Sequence, residues 1–152
     1  QWLNGMRKKL GLFTEETEDA ELIAALLAWM HERQTDYTNT FRALAAESLP
    51  EDAVFQDAGF VAWHTFWQAR LARQSNSREM SLQLMQAHNP AVIPRNHRVE
   101  EALSAASEHG DYTILQQLLA ALANPFADLP EYYHYRTPPA PSERVYQTFC
   151  GT

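Results

Sequence analysis

The residue best suited to chemistry of its own is Cys150, the single cysteine of the chain, third from its end. On an accessible tail, exposure and thiolate character together control disulfide exchange and oxidation. Phe149 precedes it and no basic residue is closer in sequence than Arg144, so nothing local argues for a lowered pKa. A redox-active thiol and an unreactive tail cysteine therefore stand side by side. The six histidines, at 31, 64, 88, 97, 109 and 134, are dispersed without metal-ligand spacing and read as core or surface residues, with His64 the one expected to be partly buried. Five glycines never cluster, which excludes a contiguous phosphate cradle, and HExxH, paired CxxC and G-x-S-x-G are all absent.

Two weaker patterns have plain structural readings. Phe55, Phe60, Trp63, Phe66 and Trp67 could stack on bases, but helical spacing with few basic neighbours favours core packing. Pro138-Pro139-Ala140-Pro141 contains a PxxP. It has Ser142 and Glu143 where SH3 ligands want proline or a basic residue, so a structural role is expected.

Charge is segregated along the chain. Residues 1–13 carry +3, residues 14–57 carry −9, residues 58–98 carry +4 and the remainder −5, for a net −7. A chain with two lysines and this acidity lacks the footprint for nucleic acid or an anionic membrane. The group Arg70, Arg73, Arg78, Arg95 and Arg98 could hold an anion locally, though pairing with the acidic segment is the expected fate. With 152 residues, 45% of them hydrophobic, the chain can bury a core, while no apolar stretch reaches the roughly 18 residues of a membrane span. The start at Gln1-Trp2-Leu3, without initiator Met or leader, reads as a cut end of an intracellular protein.

The elements that must position these residues are helices almost throughout. Thr14 through Asp19 is an acid-rich helix start, followed by Leu22, Ile23, Leu26 and Met30 at helical spacing. Tyr37, Phe41 and Leu44 suggest a short helix stopped before Pro50. Phe60, Trp63, Trp67 and Leu71 mark a longer one. Asn76 or Ser77 would cap a segment through Met80, Leu84 and Met85 that ends at Asn89-Pro90. Pro94 is expected in the first turn of the next helix, with Val99, Leu103 and Ala106 facing inward. Gly110 suits a left-handed helix end and Asp111 the cap of a helix burying Leu115, Leu118, Leu119 and Leu122. From Asn124 five of the eight prolines appear, so residues 124–152 are expected to run extended to Cys150, after a helical region of residues 1–123. The fold class expected is all-α.

The run Asn89-Pro90-Ala91-Val92-Ile93-Pro94-Arg95-Asn96 resembles the NP-x-x-(I/L)-x-RN signature in the C-terminal region of the SelO/YdiU family, the selenoprotein O proteins. The resemblance continues through Gly110-Asp111-Tyr112, Leu118-Leu119, Asn124-Pro125-Phe126, and Cys150 where eukaryotic relatives carry selenocysteine. Two departures are Gly151-Thr152 in place of a common serine pair and His97 where tyrosine often follows the RN pair.

The resemblance implies a protein-kinase-like fold that binds ATP with Mg2+ or Mn2+ and transfers AMP to Ser, Thr or Tyr hydroxyls of protein substrates. In such a transfer a hydroxyl attacks the α-phosphorus and pyrophosphate leaves. None of the family's nucleotide- or metal-binding residues maps onto a matching motif in this chain, so catalytic and metal residues are expected elsewhere. No cofactor is expected bound to these residues. The partner implied is the N-terminal kinase-like part of the same polypeptide, in the cytoplasm of a bacterium or the mitochondria of eukaryotic relatives. Asn89, Pro90, Arg95, Asn96, Gly110 and Asp111 are expected to act as helix-junction devices, with direct substrate or nucleotide contact the other reading. At Cys150 the resemblance suggests redox control. The competing functional class is a stand-alone, non-enzymatic helical interaction module.

Overall fold

A computed structural model describes residues 1–140 of the chain; Cys150 and the end of the proline-rich segment lie outside the described residues. Among the described residues all regular structure is helical. The chain divides into two compact units, Gln1–Pro90 and Ala91 onward, each with its own core.

The first unit holds five α-helices: α1 (Trp2–Lys9), α2 (Asp19–Arg33), α3 (Tyr37–Leu44), α4 (Ala58–Arg73) and α5 (Arg78–His88). Local chemistry sets their ends. Asp36 accepts the Asn39 N–H at 2.8 Å to start α3, Asp57 accepts the Gly59 and Phe60 N–H groups to start α4, and Ser77 accepts the Met80 N–H to start α5. Arg7, Lys8 and Lys9 in the last turn of α1 complement its negative end. The core gathers Leu10, Ile23, Leu26, Phe41, Phe60 and Trp67, each nearly sealed from solvent; burying one such side chain contributes roughly 1.5–3 kcal/mol. Trp63 and Trp67 stack with ring centres 5.6 Å apart, and their indole N–H groups donate to the Leu22 and Leu10 carbonyls. These bonds let two large amphipathic rings be buried without orphaning a donor.

The expected inward face of α4 is corrected here. Phe66 is not core: it is 71% exposed, one step around α4 from Trp63 and Trp67. On α5 the inward line is Ser81 and Met85, while Met80 is exposed. The cause is Gly11, at φ +74°. A β-carbon there would lie 3.0 Å from the Ser81 carbonyl oxygen and 3.1 Å from the Ser81 β-carbon, so α5 approaches through its small residue rather than through Met80.

The second unit contains α6 (Asn96–His109) and α7 (Thr113–Ala123). Gly110, at φ +65°, terminates α6 in the left-handed conformation, and Asp111 accepts the Thr113 N–H at 2.8 Å just before α7. The inward line on α6 runs through Ala102, fully buried, rather than Leu103, which is half exposed, because close helix packing selects the small side chain. On α7, Leu118 and Ala121 are buried and Leu119 faces solvent. Pro94 precedes α6 instead of entering it. The Ala91 and Val92 N–H groups both donate to the Pro125 carbonyl, which holds this stretch as a loop, and Arg95 caps the helix with extended backbone. The expected extended tail is also corrected in part: Pro130–Arg136 forms a 3-10 helix, and Tyr135 is buried in the core with Val92 and Leu118. Pro130 presets the first turn, and the three-residue spacing of Tyr132 and Tyr135 turns both toward that core.

Candidate functional site

The signature residues do not converge on one point. Asn89, 1% exposed, closes the first unit: its Nδ2 donates to the Lys9 carbonyl at 2.9 Å and its Oδ1 accepts from Lys9 Nζ at 3.2 Å. Lys9 Nζ also donates to the His88 carbonyl, and Arg42 donates to the Asn89 carbonyl at 3.1 Å. The C-terminal ends of α1 and α5 are thereby tied through one amide, which satisfies carbonyls that a helix end leaves open. Pro90 follows, half-buried. In the second unit Arg95 is buried at the cap of α6, Asn96 is exposed as its first residue, and Gly110-Asp111 forms the bend between α6 and α7. The Asp111 carboxyl is held below its ordinary pKa by its hydrogen bonding to Thr113.

The densest charge cluster is one that sequence reasoning did not isolate. Asp19, with no solvent exposure, accepts from Arg7 Nε and Arg70 Nε, each at 2.7 Å, and from the Glu16 N–H at 2.9 Å. Arg70 also meets Glu16 at 3.0 Å and donates to the Thr14 carbonyl at 2.8 Å, and Arg7 meets Glu15 at 3.0 Å. Burial pushes the Asp19 carboxyl upward, but the Arg70, Glu16 and Arg7 hydrogen bonds outweigh it and hold the pKa below the usual carboxylate value. Asp19 stands among Glu15, Glu16 and Glu18 as one acid of a helix start, and its partners lie 12 and 51 residues away. Its being fully charged and fully buried has no local signal.

The expected pairing of arginines with the acidic segment holds for Arg70 and for Arg73, which donates to Glu16 at 2.9 Å. Arg98 instead pairs with Glu101, and Arg78 donates to the Glu47 carbonyl. Among the described residues no group of three or more His, Cys, Asp or Glu side chains is arranged to hold a metal ion. The clustered acids Glu16 and Asp19 are already engaged by guanidinium groups. This donor set does not fit a metal–nucleotide site.

Beside the cluster, α2 and α4 border an open groove of about 960 Å3, floored by Leu22, Ala25, Ala28, Trp29, Trp63 and Phe66. Asp57 also lines it, and its carboxylate accepts from Trp29 Nε1 at 3.0 Å and meets Arg33 at 2.7 Å. Glu18, Glu21 and Glu32 stand along its α2 side, all exposed.

The family model described as "Protein adenylyltransferase SelO" matches residues 1–123. The chain belongs to the SelO family. It is 57% identical over 150 residues to the "Protein nucleotidyltransferase YdiU" of Syntrophotalea carbinolica, a match covering 99% of this chain and 30% of that protein. The proteins of the same name from Alkaliphilus metalliredigens and Alcanivorax borkumensis are each 56% identical, over 99% and 100% of this chain and 31% of their own length. The chain thus spans about 30% of the length of these SelO-family relatives. No helix among its described residues is long and apolar enough to cross a membrane.

Proposed function

We propose that this chain is the helical C-terminal portion of a SelO-type protein adenylyltransferase, and that it braces a kinase-like catalytic lobe without contributing the ATP site. The carrying observation is identity above 50% along essentially the whole chain to about one third of proteins named protein nucleotidyltransferase. In this reading the complete enzyme transfers AMP from ATP, with Mg2+ or Mn2+, to Ser, Thr or Tyr hydroxyls of protein substrates. It works in the bacterial cytoplasm, away from nucleic acid and membrane. The metal and the cationic groups that neutralise developing phosphate charge belong to the rest of the polypeptide, and no step is assigned to a side chain of this one.

What the residues on hand supply is rigidity. The Asp19 cluster locks α1, α2 and α4, and the Asn89 clamp locks α1 to α5, so the first unit is suited to act as a fixed block. Asn89, Pro90, Arg95, Asn96, Gly110 and Asp111 serve in this reading as junction residues rather than as ligands. The test is transfer of label from ATP labelled at the α-phosphate. Purified residues 1–152 are expected to transfer none, whereas a SelO polypeptide carrying this region together with the remaining two thirds modifies protein substrate. Transfer by residues 1–152 alone would overturn the reading, and so would a complete polypeptide that transfers none.

A further inference from the structure

We propose that the α2/α4 groove seats a basic amphipathic helix supplied by the rest of the same polypeptide. The inference rests on the reading of this chain as part of a longer SelO enzyme and assigns the surface through which that part is held.

The floor of the groove is unfinished core. Ala25 and Ala28, three residues apart on α2, line the groove with methyl groups alone, and Phe66 projects beside them at 71% exposure. Trp29 and Trp63, by contrast, are sealed beneath. A helix laid in this groove would cover the Phe66 ring and approach α2 closely, as small residues at a helix contact permit.

Charge selects the occupant. The groove is lined by six carboxylates and three guanidiniums, a net of −3. Glu16, Asp19 and Asp57 are neutralised by Arg70, Arg73 and Arg33, which leaves Glu18, Glu21 and Glu32. Among the described residues Glu18 and Glu21 make no ion pair, although Glu18 lies in the field of Arg73, and Glu32 lies 3.9 Å from an Arg33 that already meets Asp57 at 2.7 Å. Glu18 and Glu21 are at the start of α2, where the helix dipole favours acids; Glu32 is in its last turn, where the dipole opposes them. The dipole accounts for Glu18 and Glu21 but not for Glu32, and all three line the groove, so its surplus charge is negative along the length of α2. A partner helix with Lys or Arg along one flank of its apolar stripe complements it.

A second copy of this chain does not supply that helix. Its only basic run is Arg7-Lys8-Lys9, where Arg7 is bound to Asp19 and Lys9 to His88 and Asn89, and the copy as a whole carries −7. About two thirds of the relatives' length lies outside this chain, and a segment of the same polypeptide docks at high effective concentration.

The test uses a complete SelO polypeptide carrying this region with Cys150→Ser as background. Phe66→Cys is expected to react with a maleimide about tenfold or more slowly in the native protein than in denaturant, the protection expected of a covered site. Glu21→Lys with Glu32→Lys is expected to restore most of the native-state reactivity. A water-soluble carbodiimide should join Glu18, Glu21 or Glu32 to lysines of the same polypeptide, identified by mass spectrometry on mixed light and heavy isotope samples. Free reactivity of the native Phe66→Cys thiol overturns the proposal, as do cross-links that form only between light and heavy copies. AMP transfer measured on the same preparation separates the two readings. Transfer with an open groove sinks the docking assignment alone, and a closed groove without transfer leaves docking standing while the enzymatic reading falls.

Discussion

Substituting Asp19 by Asn tests whether the buried ion cluster holds the first unit together. The replacement keeps the shape and one hydrogen-bond acceptor but removes the charge that two buried guanidiniums share at 2.7 Å. Removing one partner from a buried ion pair costs about 3–5 kcal/mol, because the other charge is left uncompensated. Here the lower end applies: Arg70 retains Glu16 and the Thr14 carbonyl, and Arg7 retains Glu15. The expected loss is about 3 kcal/mol, which for a unit the size of Gln1–Pro90 corresponds to a Tm lowered by about 12–24 °C. All four tryptophans, at 2, 29, 63 and 67, lie in the first unit, so urea titration followed by tryptophan fluorescence reads that unit selectively. The pH dependence adds a second signature. The folded pKa of Asp19 is depressed, so its contribution is complete above the unfolded value near 4 and is lost as pH falls through the folded value. Asp19→Asn should therefore be less stable than the parent at neutral pH and converge toward it as the solution becomes strongly acidic. A loss below about 1 kcal/mol at pH 7, or a gap that does not narrow in acid, would refute the electrostatic account of this cluster.

Asn89→Ala removes both the donor to the Lys9 carbonyl and the acceptor for Lys9 Nζ, and should lower first-unit stability by about 2 kcal/mol in the same titration, the cost of leaving buried polar groups unsatisfied. Gly11→Ala and Gly110→Ala compare two glycines with similar positive φ. At Gly110 an added β-carbon meets nothing within 4 Å, so only the left-handed conformation is penalised, by about 1 kcal/mol. That loss should appear in far-ultraviolet circular dichroism and leave the tryptophan transition unmoved. At Gly11 the contacts with Ser81 and Met85 add overpacking, for a total of about 3 kcal/mol that the tryptophan signal should register.

Much of the architecture was legible along the chain because it is written in local rules. Ser77, Gly110 and the apolar periods around Leu26 and Trp67 act within a few residues of themselves, and they placed α2, α4, α5 and the α6–α7 bend. The misplaced faces share one cause. Ala102 rather than Leu103, and Phe66 outside rather than in, are each shifts of one residue around a helix, decided by how closely the neighbouring helix approaches. Periodicity gives the width of an apolar stripe but not its centre, since small residues count little in hydropathy and much in packing.

The sequence by itself determined the helical class, the Ser77 cap, the Gly110 bend and, through the Asn89–Asn96 run, the family. Such features need only neighbours along the chain or a recognisable order of residues. Only the tertiary structure decided that Asp19 is a buried hub, that Asn89 ties α1 to α5, and that three glutamates line one side of an open groove. Those properties arise between residues 12 to 80 positions apart, where attraction depends on distance and solvent exclusion that a linear pattern does not carry.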